Sequence, residues 1–211
     1  MASEPRYVKI CGITRVEDAM LCIDAGASAI GLNFVPASPR RVEESVARAI
    51  VEAVKGKIET VGVVADLPVT EMQRLRDEMG LDWLQLHGDE PESALTEMLP
   101  RAFKAVRIGD AEEARLAEAI PGDRLLADAK AAGGELGGTG AKLDWFLVRR
   151  LAEDRVLILA GGLTPENVAQ AISLVRPWGV DVASGVESAP GIKDPDRVRA
   201  FIGAARGGVA R

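Results

Sequence analysis

The residues of this chain best suited to chemistry gather where short apolar runs stop. Cys11 ends Tyr7-Val8-Lys9-Ile10-Cys11 just before Gly12, and Asp128 ends Leu125-Leu126-Ala127-Asp128. A thiolate can take a proton and a carboxylic acid can give one, so the two make a base and an acid for general acid–base work. Burial disfavours a charged carboxylate, which suits an aspartate that donates a proton. His87 follows Gln85-Leu86, Asp181 lies in Asp181-Val182-Ala183-Ser184-Gly185, and Arg40 lies in Pro36-Ala37-Ser38-Pro39-Arg40, a loop stiffened by two prolines. A guanidinium there can grip a carboxylate through two parallel hydrogen bonds. Gly161-Gly162 and Ser184-Gly185 bring backbone N–H groups within reach of an oxyanion and together read as a phosphate cradle.

Each feature also has a plainer reading. A buried cysteine often serves only as a small hydrophobe; Asp128 could pair with Lys130; Arg40 could be solvated; a Gly-Gly pair often marks only a tight turn. His87 suits an orienting hydrogen bonder better than a catalytic base, and Asp181 suits a structural role in its strand nearly as well as a ligand contact. Cys22 reads as packing on the first helix. A free thiol is little ionised at neutral pH, so Cys11 needs positive potential to act as a base. Lys9 is not expected to supply it, because alternation puts it on the same face one layer lower.

The elements that must position these groups follow from periodicity. Apolar runs read as strands over Tyr7–Cys11, Ala29–Val35, Thr60–Asp66, Trp83–His87, Ala102–Ile108, Arg124–Lys130, Val156–Ala160 and Gly179–Ala183. Runs without strict alternation suit strands covered on both faces, as in parallel sheets. Between them the i, i+3, i+4, i+7 spacing recurs at Val16, Ala19, Met20 and Ile23; at Val46, Ala49, Ile50 and Ala53; at Val168, Ala171, Ile172 and Val175; and at Val198, Phe201, Ile202 and Ala205. Thr14 and Glu17 have capping-box spacing, and Thr164-Pro165 supplies an N-cap with proline at the first helical position. Eight strand–helix units in 211 residues predict one domain, an α/β (β/α)8 barrel, rather than an open doubly wound sheet. No G-x-G-x-x-G follows the first strand to support the open alternative. In a barrel, function sits at the C-terminal strand ends, where Cys11, Asn33, Asp66, His87, Arg107, Asp128, Gly161, Gly162, Asp181 and Ser184 fall. The glycine-rich stretch Ala131 to Gly140 reads as a loop over that end.

Composition narrows the function classes. With 32 acidic against 26 basic residues the net charge is -6, which disfavours a nucleic-acid partner in the absence of a basic tract. No apolar run is long enough to span a bilayer, and Met1-Ala2-Ser3-Glu4-Pro5 does not read as a leader, so a cytoplasmic location is expected. Two cysteines are too few for a disulfide framework, and a single histidine argues against a zinc site, so no metal is expected.

Val8-Lys9-Ile10-Cys11-Gly12-Ile13-Thr14, Ser38-Pro39-Arg40, Gln85-Leu86-His87-Gly88, Asp128-Ala129-Lys130, Gly137-Gly138-Thr139-Gly140 with Asp144-Trp145, Ala160-Gly161-Gly162-Leu163, and Val180-Asp181-Val182-Ala183-Ser184-Gly185-Val186-Glu187 with Pro190-Gly191 occur in this order. On these motifs the chain resembles the phosphoribosylanthranilate isomerases of tryptophan biosynthesis. The resemblance implies a ribulose-phosphate-binding barrel and a cofactor-free Amadori rearrangement of an aminoaldose to an aminoketose, with an intramolecular transfer of oxidation level. It also implies Asp128 as general acid, Cys11 as general base, Arg40 on the anthranilate carboxylate, the loops at Gly161-Gly162 and Ser184-Gly185 on the phosphate, and His87 and Asp181 as further ligand contacts. Ala183 stands where the resemblance leads one to expect serine, which removes one possible side-chain phosphate contact. The partner expected is a small phosphosugar, with no nucleic acid and no membrane, in a monomer or homodimer. Two other readings compete: another phosphate-binding barrel enzyme, such as a histidine-pathway aminoaldose isomerase or indole-glycerol-phosphate synthase, and a non-catalytic barrel that binds a phosphometabolite. Cysteine rather than aspartate after the first strand, and the retention of both acid and base, weigh against these.

Overall fold

The eight apolar runs pair in sequence order, β1 to β8, and β8 closes back onto β1, all in parallel. The computed structural model describes residues 5–129 and 145–207. Along the chain these are β1 (Tyr7–Cys11), α1 (Val16–Asp24), β2 (Ala29–Asn33), α2 (Glu44–Val54), β3 (Glu59–Val64), α3 (Val69–Met79), β4 (Trp83–Leu86), α4 (Glu92–Met98), β5 (Ala102–Ile108), α5 (Ala111–Ala117), β6 (Arg124–Ala129), α6 (Trp145–Asp154), β7 (Val156–Leu159), α7 (Val168–Val175) and β8 (Gly179–Val182). A single 3-10 turn (Ser184–Val186), a small antiparallel pair β9 (Glu187–Ala189) and β10 (Ile192–Lys193), and α8 (Pro195–Ala205) complete it. The expected (β/α)8 barrel is therefore the fold. Lys130, the stretch Ala131 to Gly140, and the motif up to Asp144 lie outside the described residues.

Two cores explain why the strands lack strict alternation. Outward residues such as Val8, Ile10, Ile30, Leu32, Leu125 and Leu157 pack under the helices. Inward residues Ala29, Val61, Phe103, Ala105, Leu126, Ile158 and Ala160 fill the barrel. At its N-terminal end the Arg124 guanidinium lies 3.8 Å from the Trp83 ring centroid, 5.1 Å from that of Trp178 and 5.4 Å from that of Tyr7. Its Nη1 donates to Glu59 Oε1 at 3.0 Å, and the Tyr7 hydroxyl donates to the same oxygen at 2.5 Å. This stacked cation fills the bottom of the barrel with aromatic surface. Polar inward residues are concentrated toward the opposite end.

The helices depart from the sequence reading in four places. In α1 the buried residues are Asp18, Ala19 and Cys22, so only Ala19 of the expected stripe is buried and the face is rotated. In α2 the buried stripe is Ala47, Ile50, Val51 and Val54, rotated from the expected one, and Val46 is exposed. The i, i+3, i+4 rule fits both stripes; burial of Val51 and Val54 selects the one observed. In α1, Thr14 does not cap: its Oγ1 donates to the Gly191 carbonyl at 2.5 Å, tying the β1 loop to the β9–β10 turn, and Arg15 occupies the cap position. The seventh helix starts at Val168, with Pro165 in a preceding turn and Asn167 Oδ1 accepting from the Thr164 amide at 2.8 Å. The predicted stripes of α7 and α8 are buried throughout.

Candidate active site

Alternation aims Lys9 and Cys11 of β1, Gln85 of β4 and His87 just past it, Asp128 of β6, and Asp181 of β8 into the barrel. At the C-terminal strand ends a cleft is lined by Cys11, Arg40, His87, Asp128 and Asp181, with Asn33, Val35, Ser38, Val63, Gln85 and Ala183. Its mixture of apolar wall with convergent polar groups suits a small-molecule site. Six of the residues singled out in the sequence, Asn33 among them, thus meet in one place. Asp66 and Arg107, also noted at strand ends, do not line it. Asp66 Oδ1 accepts from the Asp89 amide at 2.7 Å, and Arg107 Nη2 donates to the His87 carbonyl at 3.1 Å.

Cys11 is 8% exposed, and room for its sulfur comes from the neighbouring strand. A Cβ added at Gly31 would lie 2.7 Å from Cys11 Sγ and 3.2 Å from Lys9 Cε, so glycine there admits both side chains. Burial raises the Cys11 pKa above its ordinary value, and the Asp181 charge adds to this. Lys9, through its charge and a side-chain hydrogen bond, and Lys193 pull the other way without overcoming burial. Dismissing Lys9 as a source of positive potential was therefore mistaken. It starts one layer lower, but its four-carbon stem carries the ammonium up to the thiol. The resting group is a thiol with two cations placed to stabilise its conjugate base.

Lys9 is fully buried and is held by two partners: Nζ donates to Asp181 Oδ1 at 2.8 Å and to Gln85 Oε1 at 3.1 Å. Burial lowers its pKa most strongly, but Asp181 and Cys11 outweigh that, and the net direction is upward, so the ammonium stays charged. Asp181 thus has both roles weighed for it, lining the cleft and anchoring Lys9. The polar chain continues from Gln85 Nε2 to His87 Nδ1 at 2.8 Å, and His87 Nε2 stands 3.4 Å from Asp128 Oδ2. His87 Nε2 is buried and makes no hydrogen bond of its own among the described residues. The orienting role expected of His87 agrees with this placement beside Asp128.

Arg40 is not the free guanidinium that its sequence suggests. Its Nε donates to Glu187 Oε1 at 2.9 Å and Oε2 at 3.0 Å, and Nη2 donates to Oε2 at 2.8 Å. Glu187 also accepts from Lys193 Nζ at 2.8 Å. Burial, the largest influence, pushes the Glu187 pKa up, but Arg40 and Lys193 hold it below its ordinary value. One edge of Arg40 is therefore fixed by Glu187, and the outer edge, Nη1 with the second Nη2 hydrogen, is what a ligand carboxylate can grip. Gln85, Glu187 and Lys193 were missed in the sequence as site residues. Gln85 had a signal: it precedes His87 by two, the spacing that puts both on one face of a strand. Glu187 ends one of the motifs quoted above but had no assigned partner, and Lys193 had no signal, because the β9–β10 pair that brings them to Arg40 was not predicted.

The glycine loops sit beyond this cleft, after β7 and β8. Gly161 and Gly162 have φ of 90° and 66°, and no backbone carbonyl among the described residues takes their amides. A Cβ on Gly185 would come within 2.0 Å of the Leu163 carbonyl oxygen, so only glycine lets the two loops meet. The loops after β7 and β8 thus meet at Gly185 and Leu163, the close approach that a backbone phosphate cradle needs. Cys22 is fully buried, and burial pushes its pKa up to about 12, in keeping with packing alone.

A closed (β/α)8 barrel with a thiol, a carboxyl group and an arginine converging at its C-terminal mouth defines a barrel enzyme of the proton-transfer class. Comparison with known proteins gives the family. The family model described as N-(5'phosphoribosyl)anthranilate (PRA) isomerase matches residues 8–204, and the chain belongs to that family. A relative from Roseiflexus named N-(5'-phosphoribosyl)anthranilate isomerase is 44% identical over 209 residues, covering 94% of this chain and 97% of its own. The crystal structure of phosphoribosyl anthranilate isomerase from Thermotoga maritima superposes with a TM-score of 0.86 at 37% identity, covering 95% of this chain and 98% of that one. Another phosphoribosyl anthranilate isomerase, solved in complex with reduced 1-(o-carboxyphenylamino)-1-deoxyribulose 5-phosphate, gives a TM-score of 0.83 at 35% identity with the same coverage.

Proposed function

We propose that this protein converts N-(5'-phosphoribosyl)anthranilate to 1-(2-carboxyphenylamino)-1-deoxyribulose 5-phosphate, the aminoaldose-to-aminoketose step of tryptophan biosynthesis. The observation that carries the reading is the convergence of Cys11, Asp128 and Arg40 on one cleft in a chain of this family. Asp128 gives a proton to the furanose ring oxygen, and the C1–O bond breaks as the anthranilate nitrogen forms a Schiff base with C1. That cation acidifies the C2 hydrogen. Cys11 removes it as thiolate, giving an enolamine that tautomerises to the ketone. No external oxidant or reductant is needed, because C1 is reduced as C2 is oxidised.

Each remaining group has a task set by its chemistry. The outer edge of Arg40 takes the anthranilate carboxylate, while Glu187 keeps the guanidinium from swinging away. The amides around Gly161, Gly162, Ser184 and Gly185 take the phosphate, and Ala183 leaves that site to backbone donors. His87 and Asp181 complete the contact surface between the two ends of the ligand. Lys9 and Lys193 stabilise the Cys11 thiolate once it forms. Since burial keeps the resting thiol protonated, the thiolate fraction of Cys11 rises with pH through the neutral range.

The test is direct. Phosphoribosylanthranilate, generated in situ, should lose its fluorescence on addition of the purified protein, with the aminoketose as product. Decay no faster than the spontaneous hydrolysis of the substrate contradicts the reading.

A further inference from the structure

The polar chain that runs from Lys9 to Asp128 places an imidazole beside the proposed general acid, which raises a chemical difficulty. A histidine with a free lone pair there would take the proton that Asp128 must give to the ligand. We propose that Gln85 is a positioning residue that holds His87 as its neutral Nε2–H tautomer, with that N–H directed at Asp128, and that Lys9 sets the orientation of the Gln85 amide.

Donor and acceptor capacities fix the tautomer. Lys9 Nζ has three hydrogens and no acceptor, so the Gln85 atom 3.1 Å from it must be the carbonyl oxygen. The other end of the same amide, an NH2 group with no accepting capacity, then lies 2.8 Å from His87 Nδ1. Two donors at that separation repel, so Nδ1 must present its lone pair, and the ring proton of the neutral imidazole resides on Nε2. The alternative amide orientation would set an NH2 against the Lys9 ammonium. Asp181, which takes another Lys9 hydrogen at 2.8 Å, holds the ammonium so that it cannot retreat.

The consequence is at the far side of the ring. Nε2, buried and without a hydrogen bond among the described residues, faces Asp128 Oδ2 at 3.4 Å, and both residues line the cleft. Carrying a hydrogen, it has no lone pair with which to accept the Asp128 proton, so that proton passes to the ligand oxygen. The carboxylate left behind then gains the Nε2–H as a donor, an interaction stronger after proton transfer than before it. Gln85 from β4 and Asp128 from β6 address the two ring nitrogens, while Arg107 from β5 meets His87 at its backbone carbonyl and pairs with Asp89. The tautomer stands on geometry alone; its catalytic consequence rests on Asp128 being the proton donor proposed above.

The chain has one histidine, so its imidazole can be read without assignment. In untagged, 15N-labelled protein, long-range 1H–15N spectra should show one protonated, pyrrole-type nitrogen at Nε2 and one pyridine-type nitrogen at Nδ1. Gln85→Glu puts an accepting carboxylate against Nδ1 and should move a proton there. In the same variant kcat should fall about 10- to 100-fold, the usual cost of losing an orienting partner, with KM nearly unchanged. A wild-type ring protonated at Nδ1 and bare at Nε2 overturns the proposal, and this holds even where Gln85→Glu fails to fold. An unchanged ring pattern in Gln85→Glu overturns the role of Gln85. A changed pattern with unchanged kcat overturns the catalytic consequence. Wild-type protein with no isomerase activity refutes the function proposed above while leaving the tautomer to be read from the spectra.

Discussion

Lys9→Met removes one charge from a buried ion pair of the barrel and nearly keeps the length of the side chain. Lys9 and Asp181 are 0% and 10% exposed in their side chains and 2.8 Å apart. Breaking such a pair strands the surviving charge, at a cost of about 3–5 kcal/mol. For a protein of this size each 1 kcal/mol moves the Tm by about 2–4 °C, so the expected loss is about 6–20 °C. Lys9→Met/Asp181→Asn leaves no stranded charge and should be more stable than the two single losses summed, by about 0.5–3 kcal/mol. Urea unfolding of the four proteins measures the cycle. A second readout isolates the catalytic side: with the ammonium gone, the Cys11 pKa moves further up, and alkylation of Cys11 by iodoacetamide at a fixed pH should slow. Single losses under 1 kcal/mol, strict additivity of the pair, or unchanged alkylation would each refute the reasoning.

Three further outcomes follow from the same structure. Arg40→Ala should raise KM for the anthranilate-bearing substrate while leaving inorganic phosphate binding unchanged; equal loss of both would mean that the variant damages the barrel mouth. Gly185→Ala should weaken phosphate binding at least tenfold, because its Cβ would fall within 2.0 Å of the Leu163 carbonyl and part the two loops; unchanged inhibition by phosphate contradicts the cradle. Cys22 ionises near 9.0 when unfolded and about 12 when folded, so above pH 9 the unfolded chain holds fewer protons and stability falls as pH rises. Its share of that fall, about 4 kcal/mol when complete above the folded pKa, should vanish in Cys22→Ala, as comparison of urea midpoints at pH 8 and pH 11 will show.

Where the chain positions a group by a strand, the sequence was readable. Cys11, His87, Asp128 and Asp181 were placed correctly, because a period of two and a run of buried residues leave one face and one end available. Cys22 was placed by the same logic applied to a helix. What eluded sequence reasoning depends on reach and on turns. Lys9 was assigned to the correct face and layer, yet its long stem brings the ammonium to the layer above, which no alternation rule records. Arg40 was placed on the right loop, but its partner Glu187 lies 147 residues away across the closure of the barrel. The α2 stripe failed because alanines and valines on both sides of that helix satisfy one period. Thr14 was misread because its hydroxyl found Gly191, distant in sequence, in place of its own helix.

The central claim is that Cys11 and Asp128 move the protons of this isomerisation. It is tested most directly by single-turnover fluorescence decay of phosphoribosylanthranilate with the wild type, Cys11→Ser and Asp128→Asn, alongside binding of the reduced product analogue. Each variant should turn over about 10²–10⁴-fold more slowly while binding the analogue within a few-fold of the wild type. Turnover near the wild-type rate in either variant would contradict the role given to that residue.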